Sequence, residues 1–365
     1  MYHLVSHVVF QHGVDIYGPV HVLGAFLRKH RKPYQVFFLP LEFEGDYTIQ
    51  ANKKTNTFPA PRANMIFKFV RDIFEVGKYI QKYRPGAEDT VIAVDPLNCF
   101  LFAFAKPFSR FNLIYYTADY SDARFTNPVL NGTYLLLDKF AMIMCDQNWC
   151  VSERIVEKRE DQGFGSKAVF LPNTPILTQK MTKQSAKHKN DIVYVGRMDD
   201  NMMIMTLLET ISLIKKTVPR IRLTLLGGGC KEEAVKEYIS KHKLQRNVTC
   251  TGPVSNDKVI KALTKSGIGV ALYSGGNHWN RYGDSMKIRE YQYFGIPVVV
   301  TDVPSNASEV QRLKSGKVLT KSVTPKSLMR AILEIQSSYA KFTENAFQNA
   351  VQFKKESLLE KYLHI

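Results

Sequence analysis

Gly283-Asp284-Ser285-Met286-Lys287-Ile288-Arg289-Glu290-Tyr291-Gln292-Tyr293-Phe294-Gly295-Ile296-Pro297-Val298-Val299-Val300-Thr301-Asp302 reads as a polar loop, a short helix, a stop at Gly295 and a buried strand from Pro297 to Thr301. Asp284 or Ser285 is the N-cap. The first N–H groups of a helix lack an intrahelical acceptor and carry partial positive charge, so a phosphate fits there, and Lys287 in the first turn adds a full charge. Glu290 follows one turn later on the same face. A cation suited to phosphates thus stands beside a carboxylate suited to sugar hydroxyls. The alternative is an ordinary surface helix with an i,i+3 ion pair that feeds a core strand.

Working back from this stretch, strand and helix alternate. Ile192–Val195 is a strand that ends at Gly196-Arg197-Met198, and Gly196 lets the backbone come close to a ligand. Ile221–Leu226 is the next strand, followed by three glycines at 227–229, and Ile268–Tyr273 another. Between Ser274 and Tyr282 lies a loop whose His278, Trp279 or Arg281 can touch a ligand. Tyr273 packs either on a nucleotide or on the core.

The same alternation opens the chain. His7–Phe10 is a strand, the loop from Gln11 to Pro19 carries His12, Gly13 and Asp15, and Val20–His30 is a helix. The loop lacks a full GxGxxG pattern and reads equally as a plain turn. Tyr34–Leu41 returns as a strand, and residues 42–63 read as a long loop. In the helix Asn64–Tyr83, Ile66, Phe69, Val70, Ile73 and Phe74 share a side that packs on a sheet, or, with Lys68, Arg71, Lys78 and Lys82, lies on anionic lipid. Leu97–Ala105 is a buried helix, too short to span a bilayer. Leu113–Tyr116 is a core strand that delivers Asp119 and Asp122 to its carboxyl end, where ligands gather in this architecture. Either carboxylate also suits a structural helix cap.

Two such α/β series predict two domains: 1–175, and 191–338 after a lysine-rich linker at 176–190, with a C-terminal helical segment at 339–365. The formal charge of +17 is uneven. Residues 1–172 hold 20 Lys and Arg against 17 Asp and Glu, and residues 173–365 hold 30 against 16. Such an excess attracts nucleic acid, an anionic membrane or acidic substrates. No zinc finger, RNP motif or helix-turn-helix spacing supports nucleic acid, which leaves a membrane face and a phosphorylated ligand as partners. Five cysteines, scattered in apolar segments, read as reduced core thiols. The first residues lack a basic signal region, and no run approaches the length of a membrane span, which predicts a cytoplasmic protein.

Ser285-Met286-Lys287, Glu290-Tyr291 and Phe294-Gly295-x-Pro297 resemble the nucleotide-sugar loop of GT-B glycosyltransferases. Within them the motif is most similar to the membrane-associated β-glucuronosyltransferase of xanthan assembly and its relatives. Glu290 to Val299 also satisfies the second half of the motif of retaining GT-B families, whose first glutamate falls here on Tyr282. The lysine that follows Gly-Arg in many retaining relatives is absent, since Asp199, Asp200 and Asn201 stand there.

The resemblance implies an α/β chain of GT-B fold, two Rossmann-like domains facing a cleft, with the segment 339–365 crossing back to the first domain. It implies a UDP-sugar donor, the sugar being glucuronic acid in the nearest relatives, held through Arg197, Met198, Tyr273, Ser285, Met286, Lys287 and Glu290. It implies an acceptor, lipid-linked or polysaccharide, near His12, Gly13 and Asp15, reached from the inner face of the cell membrane. Asp119 resembles the catalytic aspartate of that family, with Asp122 in reserve, and a base there removes the acceptor proton in an inverting displacement. No Asp-x-Asp triplet occurs in the chain, so neither metal nor cofactor is expected. Two alternatives remain: a retaining hexosyltransferase, and a non-catalytic protein that binds nucleotide sugars or polyanions.

Overall fold

The computed structural model describes residues 1–365 except 9, 12–13, 16–17, 42–44, 52–53, 61, 176–187, 276–277 and 321. The chain divides into two units, Met1–Pro172 with Leu359–Ile365, and Asn173–Leu358. The expected linker at 176–190 lies mostly outside the described residues.

The first unit runs β1 (Tyr2–Val8), β2 (Phe10–Gln11), β3 (Val14–Asp15), α1 (Pro19–Lys29), β4 (Tyr34–Pro40), β5 (Gly45–Ala51), β6 (Lys54–Ala60), α2 (Met65–Tyr83), β7 (Thr90–Val94), α3 (Pro96–Ser109), β8 (Asn112–Thr117), α4 (Pro128–Met144), β9 (Gln147–Cys150), α5 (Glu153–Asp161) and β10 (Ala168–Phe170). Its sheet has the order β10-β9-β8-β7-β1-β4-β5-β6. The six strands from β10 to β4 are parallel. The strand order reverses between β1 and β7, so the crevice for ligands opens at the carboxyl ends of these two strands.

Two elements differ from expectation. Residues 42–63 are not a long loop, because β5 and β6 form an antiparallel hairpin on β4. Tyr47 and Ile49 alternate onto the core face, with the Tyr47 ring stacked on Phe58 at 5.2 Å. The outer strand, polar and mostly exposed, hides this alternation, and Pro59 is tolerated near the end of an edge strand. The second concerns α2, whose apolar stripe does not pack on the sheet: the helix buries Val76 and Tyr79 and turns Val70, Ile73 and Phe74 outward, away from the first of the two placements its sequence allows. The reason is polar: Asp72 on the inner face accepts from Tyr47 Oη at 2.5 Å, pairs with the Lys68 ammonium, and lies 3.2 Å from His7 Nε2. Those bonds fix which face points in.

A buried pair ties the helices after β8 to the sheet. Arg159 on α5 grips Asp138 on α4 with two bonds of 2.6 and 2.7 Å, and Asp138 also accepts from Tyr115 Oη on β8 at 2.7 Å. The segment Leu135–Met144 is the end of α4.

The second unit runs β11 (Asp191–Val195), α6 (Ile204–Ile214), β12 (Arg222–Leu226), α7 (Glu232–Lys241), β13 (Val248–Cys250), α8 (Asn256–Leu263), β14 (Ile268–Ala271), α9 (His278–Tyr282), α10 (Met286–Tyr293), β15 (Val298–Thr301), α11 (Ala307–Arg312), β16 (Gly316–Leu319), α12 (Pro325–Ser337) and α13 (Tyr339–Gln352), and the division between the units falls within α14 (Lys355–Leu363). Its six strands are all parallel in the order β13-β12-β11-β14-β15-β16. This is the doubly wound dinucleotide-fold order, with its switch point between β11 and β14. The segment expected to cross back divides: Tyr339 at the start of α13 donates from Oη to the Gly267 carbonyl at 3.0 Å within the second unit, while Leu359–Ile365 joins the first, where Tyr362 Oη donates to the Phe170 carbonyl at 3.4 Å.

Cys99, Cys145 and Cys150 are buried free thiols as expected, but Cys230 is exposed and Cys250 half-buried. Among the described residues no helix is long and apolar enough to cross a membrane.

Candidate active site

In the second unit the site is built on α10, which the sheet holds at the switch point. The Tyr291 ring fills the space over Gly269 of β14, where a Cβ would stand 2.3 Å from it. Tyr291 Oη accepts from the Val195 N–H at 2.9 Å at the end of β11 and donates to the Val270 carbonyl at 3.3 Å. One aromatic residue thereby ties the helix to both strands that flank the crevice.

Ser285, not Asp284, is the N-cap residue of α10. Its N–H donates to Asn306 Oδ1 at 3.1 Å and its hydroxyl lies 2.7 Å from Tyr273 Oη. Asp284 is buried and serves as an ion-pair partner instead. Arg289, one helical turn further on, bonds both of its oxygens and also grips Glu309 with two bonds of 2.7 and 2.8 Å. Asp284 also accepts from the Asn173 N–H at 2.8 Å. Sequence reasoning does not find this Asp284–Arg289–Glu309 cluster, because a five-residue Asp-to-Arg spacing carries no helical-pair signal.

Lys287 reaches across the crevice. Its ammonium lies 4.9 Å from the Tyr194 ring centroid and 5.0 Å from that of Tyr273, and 3.5 Å from Met202 Sδ. Burial pushes its pKa down to about 8, against the charges of Glu290 and Asp199. Burial likewise pushes Glu290 up to about 7, against Lys287. A Cβ on Gly196 would stand 2.7 Å from Lys287 Cε, and Gly196 has φ of +128°. The first turn of α10, the Gly196 corner and this pair thus lie together at the switch point, and unpaired helix N–H groups beside a cation are the chemistry that suits a phosphate.

The other residues expected to hold the donor are less uniform. Met286 is exposed and Tyr273 buried at the site. Arg197 is exposed and turned onto Asp199, Nε to Oδ2 2.6 Å. Met198 is not brought to the pocket surface by its side chain, which is wholly buried in the core of the unit. His278 and Trp279 lie on α9, their side chains outside the described residues, and Arg281 is exposed.

In the first unit, Asp119 follows β8 and is half-exposed, with Oδ2 3.1 Å from Arg124 Nη1. Its pKa is raised: burial pushes it up, Arg124 opposes, and the nearby Asp95 charge adds to the rise. Asp122 is differently engaged, accepting from Tyr120 Oη and from Lys158 Nζ, each at 2.9 Å. At the switch point, His7 at the end of β1 lies between Asp72 and Asp95, 3.2 and 3.8 Å away. Burial would lower the His7 pKa, but its hydrogen bonds to these two carboxylates raise it. Asp95 follows β7 with φ of +73°, a conformation rare outside glycine. The His7–Asp95 pair lies beyond sequence reasoning, since nothing in either residue's local sequence joins two positions so far apart. His12 and Gly13 lie outside the described residues, as does the side chain of Asp15, whose backbone is in β3.

Comparison with known proteins gives three findings. Residues 177–352 match the model of the family Glycosyl transferases group 1, a span that covers nearly all of the second unit. The poly(glycerol-phosphate) alpha-glucosyltransferase of Bacillus subtilis is 24% identical over 199 residues, 53% of this chain and 28% of that protein. The chain therefore spans little more than a quarter of this relative. Among solved structures, the sucrose-phosphate synthase of Thermosynechococcus elongatus superposes with a TM-score of 0.72 at 14% identity, covering 100% of this chain and 98% of that one. Anabaena HepE in complex with UDP superposes with a TM-score of 0.65 at 13% identity, covering 100% and 99%. The expected α/β architecture of GT-B type, with two Rossmann-like parallel sheets, is therefore the observed one.

Proposed function

We propose, on the premise that the second unit belongs to the group 1 glycosyl transferases, that this protein moves a sugar from a UDP-sugar to a lipid-linked or polysaccharide acceptor at the cytoplasmic face of the membrane. The observation that carries the reading is the desolvated Lys287 ammonium at the N-terminus of α10, at the carboxyl-end switch point of a doubly wound sheet. A cation there, stripped of water, stabilises the negative charge that grows on a departing diphosphate. Glu290, one turn on, is suited to ribose hydroxyls. UDP as the nucleotide is supported by the likeness to UDP-bound HepE.

In the first reading Asp119 is the base. Its raised pKa suits it to take the acceptor hydroxyl proton as the sugar carbon is attacked, giving inversion in one displacement. Metal-independence is proposed because Lys287 and the α10 N–H groups can neutralise the diphosphate and the sequence has no Asp-x-Asp triplet. Glucuronic acid as donor sugar is supported by the motif around Lys287 alone.

A second reading has a specific observation behind it. The Bacillus relative is named an alpha-glucosyltransferase acting on poly(glycerol-phosphate). A retaining transfer of a neutral hexose to a polyanionic acceptor suits the basic charge of this chain, and makes Asp119 a binding residue. Offering UDP-glucose, UDP-N-acetylglucosamine, UDP-galactose and UDP-glucuronic acid with membrane lipid extract or poly(glycerol phosphate), and following UDP release, tests both. A β-linked product by NMR supports the first reading and an α-linked one the second. No UDP release with any pair contradicts transfer.

A further inference from the structure

Three neighbouring helices of the first unit bury one side in a common core and leave the other uncovered. Val76 and Tyr79 of α2, Cys99 and Phe102 of α3, and Ala141 and Met142 of α4 belong to one buried cluster. On the outer side, Phe67, Val70 and Phe74 of α2 stand at helical spacing, with Phe67 69% and Phe74 61% exposed. Phe104 and Phe108 of α3 follow one turn apart, 63% and 83% exposed. Val129, Leu136 and Ile143 of α4 repeat every seven residues, and all are exposed. Scattered apolar residues are normal on a surface, but three aligned stripes on packed helices form a patch.

The exposed charges on this layer have one sign. The exposed charged residues of the three helices and their end residues are Lys78, Lys82, Arg84, Arg110 and Lys139; Lys78 pairs at 2.9 Å with the partly buried Glu75, while Asp72 and Asp138 are buried and Asp95 partly so. The Lys78 ammonium sits 4.4 Å from the Phe74 ring centroid, an ammonium paired with the apolar group beside it. A second copy of this surface would bring like charges face to face, and an apolar protein groove would offer no counter-charge to Lys82, Arg84, Arg110 and Lys139. A bilayer with anionic headgroups satisfies both parts: aromatic rings enter the acyl boundary and the cations meet phosphates.

The geometry points to the outer face of α2, α3 and α4 as the surface by which this protein docks on an anionic phospholipid bilayer. The inference deepens the membrane-face part of the function proposed above and rests on it. It gives the phenylalanines of α3 a role that only the uncovered side of the layer reveals.

The test is co-sedimentation of the full chain with vesicles of phosphatidylglycerol and phosphatidylcholine, and of phosphatidylcholine alone. Wild type is expected to bind the anionic vesicles at least tenfold better than the neutral ones at low salt. Phe104→Ser with Phe108→Ser is expected to lose tenfold or more, with unchanged thermal melting, since both side chains are already in solvent. Lys78→Ala with Lys139→Ala supplies a second variant, expected to lose the preference for anionic lipid. UDP affinity measured on the same samples separates the two readings: it stays at the wild-type value if only the docking surface is changed. No wild-type binding to anionic vesicles, or full binding by both double variants, overturns the inference. Concentration-dependent dimerisation removed by the phenylalanine pair also overturns it, by assigning the patch to a second copy.

Discussion

Gly196 and Lys287 meet so closely that a single methyl group would not fit between them: a Cβ on Gly196 would lie 2.7 Å from Lys287 Cε and 3.2 Å from its ammonium. The glycine also has φ of +128°, which a side chain strains. Gly196→Ala is therefore expected to displace the Lys287 ammonium and to weaken UDP binding tenfold or more by calorimetry. Lys287→Ala made on top of it should then cost little, because the two changes remove one interaction.

The lowered pKa of Lys287 gives donor binding a pH dependence with a definite sign. On the proposed reading the ammonium binds the diphosphate, so affinity is retained below about 8 and falls as pH rises through that value. Glu290 loses its proton near 7, and its negative charge close to the diphosphate opposes binding over the same direction of pH. UDP affinity should therefore fall in two steps on going from pH 6 to 9. Glu290→Gln removes the lower step, and Lys287→Ala the upper one, in titrations at constant ionic strength.

Arg289 is expected to be a stability residue with consequences for the site. Its guanidinium pairs with both Asp284 and Glu309, all three buried. Arg289→Met leaves two buried carboxylates without their shared cation, which costs about 3–5 kcal/mol. Urea unfolding measures this. Arg289→Lys should recover only part, because an ammonium cannot make forked bonds to two carboxylates at once.

The two candidate aspartates are separated by their partners. Asp122 is held by Tyr120 and Lys158, so Asp122→Asn should change turnover only modestly. If Asp119 is the base, Asp119→Asn should lower kcat by about 10²–10⁴ while donor affinity is kept. The pH profile should then rise through a value above that of an ordinary aspartate, since burial raises the Asp119 pKa. Loss of donor affinity with unchanged kcat would make Asp119 a binding residue.

What the sequence reveals follows from how local each signal is. The helix of the Lys287 stretch, its Gly295 stop and the strand beyond it are set by neighbours within a few positions, and all three are legible. The βα alternation likewise points to both sheets. The β5–β6 hairpin is not legible, because its outer strand is polar except at Phe58 and Ala60 near its end and the pairing that stabilises it lies in other strands. Periodicity alone leaves the apolar stripe of α2 open between the sheet and the outside, because the bonds that orient the helix come from Tyr47 and His7, far away in sequence. The same distance hides the Asp284–Arg289–Glu309 cluster and the His7–Asp95 pair. Met198 shows the converse: its motif position carries no sign that its side chain belongs to the core.

The most direct test of the donor site is calorimetric titration of wild type and Lys287→Ala with UDP, with GDP and ADP alongside. The account predicts selective UDP binding at pH 7 that weakens at least tenfold in the variant, both proteins melting alike. UDP binding of equal strength in the two proteins, or none in folded wild type, would contradict it.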